Sequence, residues 1–162
     1  MPSPRTPERP AAFTRGELLF GALCAVLWFL GSSTVFYALS MQAAAVFALM
    51  YSVSFSLGAA VVGTPVAALI GFGLRGVRPR WIHLAVFALY GLAVGFAAVR
   101  LLDALNHGFG LTFSTLGLVT IALAGGSVAL GRRHAFARAD RLDRRPTFLP
   151  RAALGSDGRG LD

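Results

Sequence analysis

Arg100, Asp103, Asn106 and His107 stand at i, i+3, i+6 and i+7 and form the grouping in this chain with the most chemistry to offer. On a helix that spacing aligns them along one face, where Arg100 and Asp103 can pair and so lower the cost of lying at a membrane edge. Such a face suits an anionic or polar headgroup. The structural alternative is an ion pair that snorkels out of an apolar core and caps its helix. No second acid, serine nucleophile or metal triad accompanies the four residues, so catalysis has little support and no cofactor is expected.

A helix break is the second candidate. Pro65 has no N–H to bond the Val61 carbonyl and its ring crowds that carbonyl, so a kink is expected near residues 61–65. The freed Val61 carbonyl, with Thr64, is the kind of irregular backbone that lines ion or substrate sites in broken transporter helices, although ordinary packing also uses such kinks. Ser52 and Ser56 share a helical face with Ala60 and offer a narrow polar seam, with Ser54 on another side; back-bonding within the helix is the alternative. Glu17 suits the positive N-terminus of a first helix. His83 belongs with Trp81 to a belt at headgroup level. Cys24, the only cysteine, excludes an intramolecular disulfide and a CxxC redox pair.

Apolar runs must position these residues. A chain of 162 residues that is 56% hydrophobic, 14% charged and of mean hydropathy +0.67 exceeds what a soluble domain carries. Between Leu18 and Leu130 the charged side chains are Arg75, Arg78, Arg80, Arg100 and Asp103. Four runs, residues 17–39, 43–74, 81–105 and 109–131, are each long enough to cross a hydrocarbon core of about 30 Å at about 1.5 Å per residue. The expected fold is an all-α integral membrane protein of four transmembrane helices in two hairpins, over residues 15–131. The second run would measure about 48 Å as a helix, so it must bend near Pro65 or leave the core. Gly91 with Gly95, Ala59 with Gly63, and Gly117 with Gly125 are small residues spaced to let helices approach closely in lipid.

Charge placement sets the expected orientation. The net charge of +8 comes from 15 Arg, with no Lys, against 7 acids. Fourteen of the Arg precede the first run, separate the second from the third, or follow the fourth; Arg100 is alone on the opposite side. This distribution signals topology, not nucleic acid, and the positive-inside rule places both termini and the 75–80 loop in the cytoplasm. Arg without Lys suggests a GC-rich genome and hence a bacterial plasma membrane. Residues 132–145 continue the fourth run as a basic extension ended by Pro146. Its Arg132, Arg133, Arg138, Arg141, Arg144 and Arg145 are expected to meet anionic lipid at about 1 kcal/mol each, less what Asp140 and Asp143 cancel. Residues 1–14 and 146–162 are expected to be disordered. A cleaved secretory signal is not expected, since cleavage after Ser40 would start the chain directly before another apolar run, and the C-terminus carries no prenylation box.

The segment Gly110-Leu-Thr-Phe-Ser-Thr resembles part of the helix break in small four-helix fluoride channels. Those channels also carry a Gly-rich, Arg-containing segment in their first helix and an Asn in their second, which this chain lacks, so no site residue is carried over. The leading functional expectation is a non-catalytic accessory or structural subunit of a membrane complex, with a homo-oligomer or another membrane protein as partner. The alternatives are an oligomeric transporter or channel component with a pathway near the second helix, and a lipid-processing enzyme using Asp103 or His107.

Overall fold

A computed structural model of the chain describes residues 14–41, 45–108 and 110–143. The described residues form four long helices and no strand: α1 (Arg15–Met41), α2 (Ala45–Gly73), α3 (Arg80–Leu105) and α4 (Thr115–Asp143). Each is long and apolar enough to cross a membrane. Short 3-10 turns, Leu74–Gly76 and Leu111–Phe113, lie after α2 and before α4. The expected disordered flanks, apart from Thr14, fall outside the described residues, as do Arg144 and Arg145.

Local chemistry explains where the helices start and stop. Thr14 and Glu17 make a reciprocal cap at α1: the Thr14 N–H donates to Glu17 Oε2 at 3.0 Å and the Glu17 N–H to Thr14 Oγ1 at 3.2 Å. Pro79 precedes the first residue of α3, where its missing N–H costs nothing. At the other end of α3, His107 is left-handed (φ 59°) and the Gly108 N–H reaches back to the Asp103 carbonyl at 2.8 Å, which closes the helix in a Schellman motif. Ser114 caps α4 by accepting the Gly117 N–H on Oγ at 3.1 Å. The fourth helix thus begins six residues after residue 109, the start of the apolar run, because the left-handed Gly110 (φ 72°) and the 3-10 turn come first. It then continues without interruption through the basic extension to Asp143.

Consecutive helices run antiparallel. Tyr37 near the end of α1 meets Thr120 near the start of α4, Gly63 of α2 meets Tyr90 of α3, and Arg80 at the start of α3 meets Asp140 at the end of α4. Arg15, Arg75, Arg78, Arg80 and the α4 arginines therefore share one end of the bundle, and Arg100 lies at the other.

Small residues set the packing. α4 is wedged between α1 and α3, while α2 packs on α1 and touches α3 lightly. A Cβ on Gly91 would come within 2.8 Å of the Ala124 carbonyl and 2.9 Å of Gly125, and one on Gly131 would come within 2.5 Å of the Gly21 carbonyl. Backbone meets backbone at these points, which supplies the dispersion contact that holds helices together where lipid competes for every apolar side chain. Among the described residues the buried apolar side chains are accordingly few: Phe87, Val99, Ala135 and Ala139.

Candidate functional site

The four residues at the end of α3 are brought into one region but given separate tasks. Asp103 is buried, and its carboxylate accepts the Leu111 N–H at 3.1 Å and the Thr112 hydroxyl at 3.0 Å. Thr112 is itself only 1% exposed. The Asp103 side chain therefore latches the 3-10 turn before α4 onto the last turn of α3. Arg100 approaches the carboxylate only at 4.0 Å, with 56% of its side chain exposed. Asn106 donates from Nδ2 to the Leu102 carbonyl at 2.8 Å, and His107 is exposed on the left-handed residue that ends the helix. Most of the polar capacity here closes a helix and a loop; Arg100 and His107 are the side chains turned to the surroundings.

The three residues of the expected helix break do not share one face. α2 runs continuously through Pro65. Val61 and Pro65 are exposed on its outer side, whereas Thr64 faces the bundle and donates back to the Ala60 carbonyl. One residue from Thr64, the Gly63 carbonyl accepts a 2.8 Å hydrogen bond from the Tyr90 hydroxyl, so α3 grips α2 beside its proline.

Between α2 and the unit made by α1, α3 and α4 lies a half-open cleft of about 410 Å³. Its α2 wall carries Ser52, Ser56, Ala59, Ala60, Gly63 and Thr64. Ser52 and Ser56 are buried, and the Ser56 hydroxyl donates to the Ser52 carbonyl at 2.5 Å; Ser54, on the exposed side, donates to Met50. Towards the Arg100 end, Thr120 donates to the Leu116 carbonyl at 2.7 Å, which leaves Tyr37 as the donor in the 2.6 Å hydroxyl pair with Thr120. The Ser56, Thr64, Tyr37 and Thr120 hydroxyls are committed to helix backbone or to each other, and apolar side chains make up most of the rest of the lining.

Its basic end differs. Glu17 and Arg132 both line the cleft and are both buried, at 5% and 4% exposure. The Arg132 guanidinium lies 5.0 Å from the Phe87 ring centre and 4.3 Å from that of Phe136. Aromatic faces so placed hold a cation favourably. His83, fully buried, contacts the Val77 carbonyl through Nε2 at 2.9 Å and meets Phe136 edge-on. The inward position of Arg132 is missed when the charged stretch after residue 131 is read as a solvated extension. Helical spacing held the signal, since Gly125, Arg132, Ala135 and Ala139 fall on one face with α4's small packing residues.

The remaining extension residues are on the surface. Arg133, Arg138 and Arg141 are exposed, with Arg138 4.4 Å above the Phe20 ring of α1. Arg80 makes a bidentate pair with Asp140, both distances 2.9 Å, which clamps α3 to the extension. Comparison with protein-family models, curated proteins and solved structures finds no match.

Proposed function

We propose that the chain is a non-catalytic accessory subunit of a membrane complex, inserted in a cell membrane with both termini and the 75–80 loop on the cytoplasmic side. The observation that carries this reading is the commitment of its polar groups. Asp103 latches a loop, Arg80 and Asp140 clamp two helices, and the Tyr37, Tyr90, Ser56 and Thr64 hydroxyls bond helix backbone or another hydroxyl. Such a set maintains a shape and leaves little to transform a substrate. The exposed apolar surface of α1 and α2 supports a subunit role, because a partner helix against this pair would bury side chains that the chain leaves open. The bacterial plasma membrane is the proposed setting, from the use of Arg to the exclusion of Lys. We also propose that α2 bends at Pro65, which would bring its long span within the bilayer.

Purification of the tagged chain from its native membranes in mild detergent tests the proposal. A second membrane protein recovered in fixed stoichiometry is the expected result. A second reading, an oligomeric transporter component, draws on the cleft and its wall of Ser52, Ser56 and Thr64. It predicts a solute or ion flux from the chain alone in liposomes, and such a flux without any partner would displace the accessory reading.

A further inference from the structure

We propose that the seam between α1 and α4 at the basic end of the bundle binds the phosphate of one anionic phospholipid, with Arg138 and Arg141 as its cations and the Trp28–His134 ring pair at the depth where the acyl chains begin. The inference rests on the membrane setting but not on a protein partner, and it narrows the lipid contact expected of the whole basic extension to one face.

Three features choose this occupant. The first is charge that stays open. His134, Arg138 and Arg141 stand at i, i+4 and i+7 and share one face of α4, where His134 meets Trp28 of α1 and Arg138 meets Phe20. Arg138 and Arg141 are exposed, and among the described residues neither is in an ion pair, whereas Asp140 holds Arg80 at the same end. An anion from outside the chain supplies the complementary charge. The second is placement of the cation. The Arg138 guanidinium lies 4.4 Å from the Phe20 ring centre. A guanidinium held on an aromatic face keeps its fork of N–H donors, which matches phosphate oxygens in bidentate fashion. The third is depth. From Thr115 to Arg133, the first exposed charge of α4, the helix rises about 27 Å, close to the hydrocarbon thickness of about 30 Å. Arg138 and Arg141, further along, therefore stand at headgroup level. On the other side of that boundary come the Trp28 and His134 rings, 6.2 Å apart, and the exposed Leu27. The seam thus passes from cation through amphipathic rings to apolar side chains, the order in which a phospholipid passes from phosphate to acyl chain.

The test is fluorescence quenching in vesicles. Trp81→Phe leaves Trp28 as the single tryptophan. The purified full-length chain carrying that change is reconstituted in mixtures of phosphatidylcholine and phosphatidylglycerol, one of the two brominated on its acyl chains. Brominated phosphatidylglycerol should quench Trp28 in preference to brominated phosphatidylcholine by about tenfold, since each arginine beside an anionic headgroup contributes up to about fivefold. Arg138→Gln should lower the preference by about fivefold and Arg141→Gln should lower it in the same direction. Arg133→Gln, five residues before Arg138 and on another face of α4, should leave it unchanged. Equal quenching by the two lipids in the Trp81→Phe chain, a result that needs no charge variant to fold, would overturn the proposal. So would quenching by neither lipid in a chain that floats with the vesicles, which would mean that the seam is closed to the bilayer. An equal loss in Arg133→Gln and Arg138→Gln would overturn it as well, by marking attraction to the surface as a whole. Inorganic phosphate should not displace phosphatidylglycerol any more than chloride of equal ionic strength does; displacement by phosphate would replace the lipid with a soluble anion. The chain is alone in these vesicles, so absence of a stoichiometric partner from native membranes would remove the accessory reading and leave the lipid result untouched.

Discussion

Replacement of Asp103 should destabilise the bundle far more than replacement of Arg100, and the geometry sets the order. The Asp103 carboxylate is the acceptor for the Leu111 N–H and the buried Thr112 hydroxyl, and both donors belong to the turn that leads into α4. Asp103→Ala leaves both without an acceptor. At about 2–4 °C of melting midpoint per lost hydrogen bond in a chain of this size, the expected fall in detergent is about 4–8 °C. Asp103→Asn keeps one carbonyl oxygen and should lose about half as much. Arg100→Gln removes a contact at 4.0 Å from a side chain that is 56% exposed, and should shift the midpoint by no more than about 2 °C. A simple interfacial ion pair would make the double neutralisation milder than loss of Asp103 alone, since no unpaired Arg would remain. The observed latch instead predicts that Arg100→Gln/Asp103→Ala melts with Asp103→Ala, because the lost partners are on the turn. Differential scanning fluorimetry of the four variants, normalised to the amount inserted in membranes, measures this directly. An Arg100→Gln midpoint as low as that of Asp103→Ala, or a double variant restored towards wild type, would refute the latch.

The other expectations concern topology and packing. In a Cys24→Ala background, a cysteine at Gly76 should resist an impermeant thiol reagent in intact cells and one at Gly108 should react; labelling at Gly76 from outside would reverse the proposed orientation. Tyr90→Phe deletes the 2.8 Å bond to the Gly63 carbonyl and should speed hydrogen exchange in α2 while leaving α4 unchanged; equal acceleration in both helices would show that α2 is not separately held. Gly91→Ala places a methyl within 2.9 Å of Gly125 and should cost about 1–3 kcal/mol of stability, read as a lower melting midpoint, whereas Gly58→Ala, with open space around it, should be neutral or slightly stabilising.

The four helices long and apolar enough to cross a membrane were legible because lipid leaves one solution for a long uncharged run: internal hydrogen bonding as a helix. The Gly91 and Gly95 pair was legible for the same reason, as close approach is the main means of association that hydrocarbon allows. The start of α4 was less so. Hydropathy alone begins a helix at residue 109, yet Gly110 takes a left-handed turn and Ser114 supplies the cap, a signal of turn chemistry that apolarity obscures.

The face of Ser52, Ser56 and Ala60 was legible as a seam, but the cleft that it lines was not, for a reason that lies in α2. Its inner face and its outer face are almost equally apolar, because the outer one must satisfy lipid, so no periodicity distinguishes the wall of a cavity from a packed contact. Which side of α2 turns inward is fixed by its packing on α1 and by the Tyr90 hydroxyl opposite the Gly63 carbonyl, both of them contacts between helices. Arg132 follows the same logic. Counted along the chain it belongs to a basic tail, but α4 is wedged between α1 and α3 beyond the end of the apolar run, and the small face of Gly131, Ala135 and Ala139 carries the helix, and Arg132 with it, into the interior. A charge that ordinarily marks a cytoplasmic surface thereby becomes the wall of an apolar cleft, held between two aromatic rings. It is this displacement from surface to interior that separates Arg132 from Arg133, its neighbour in sequence.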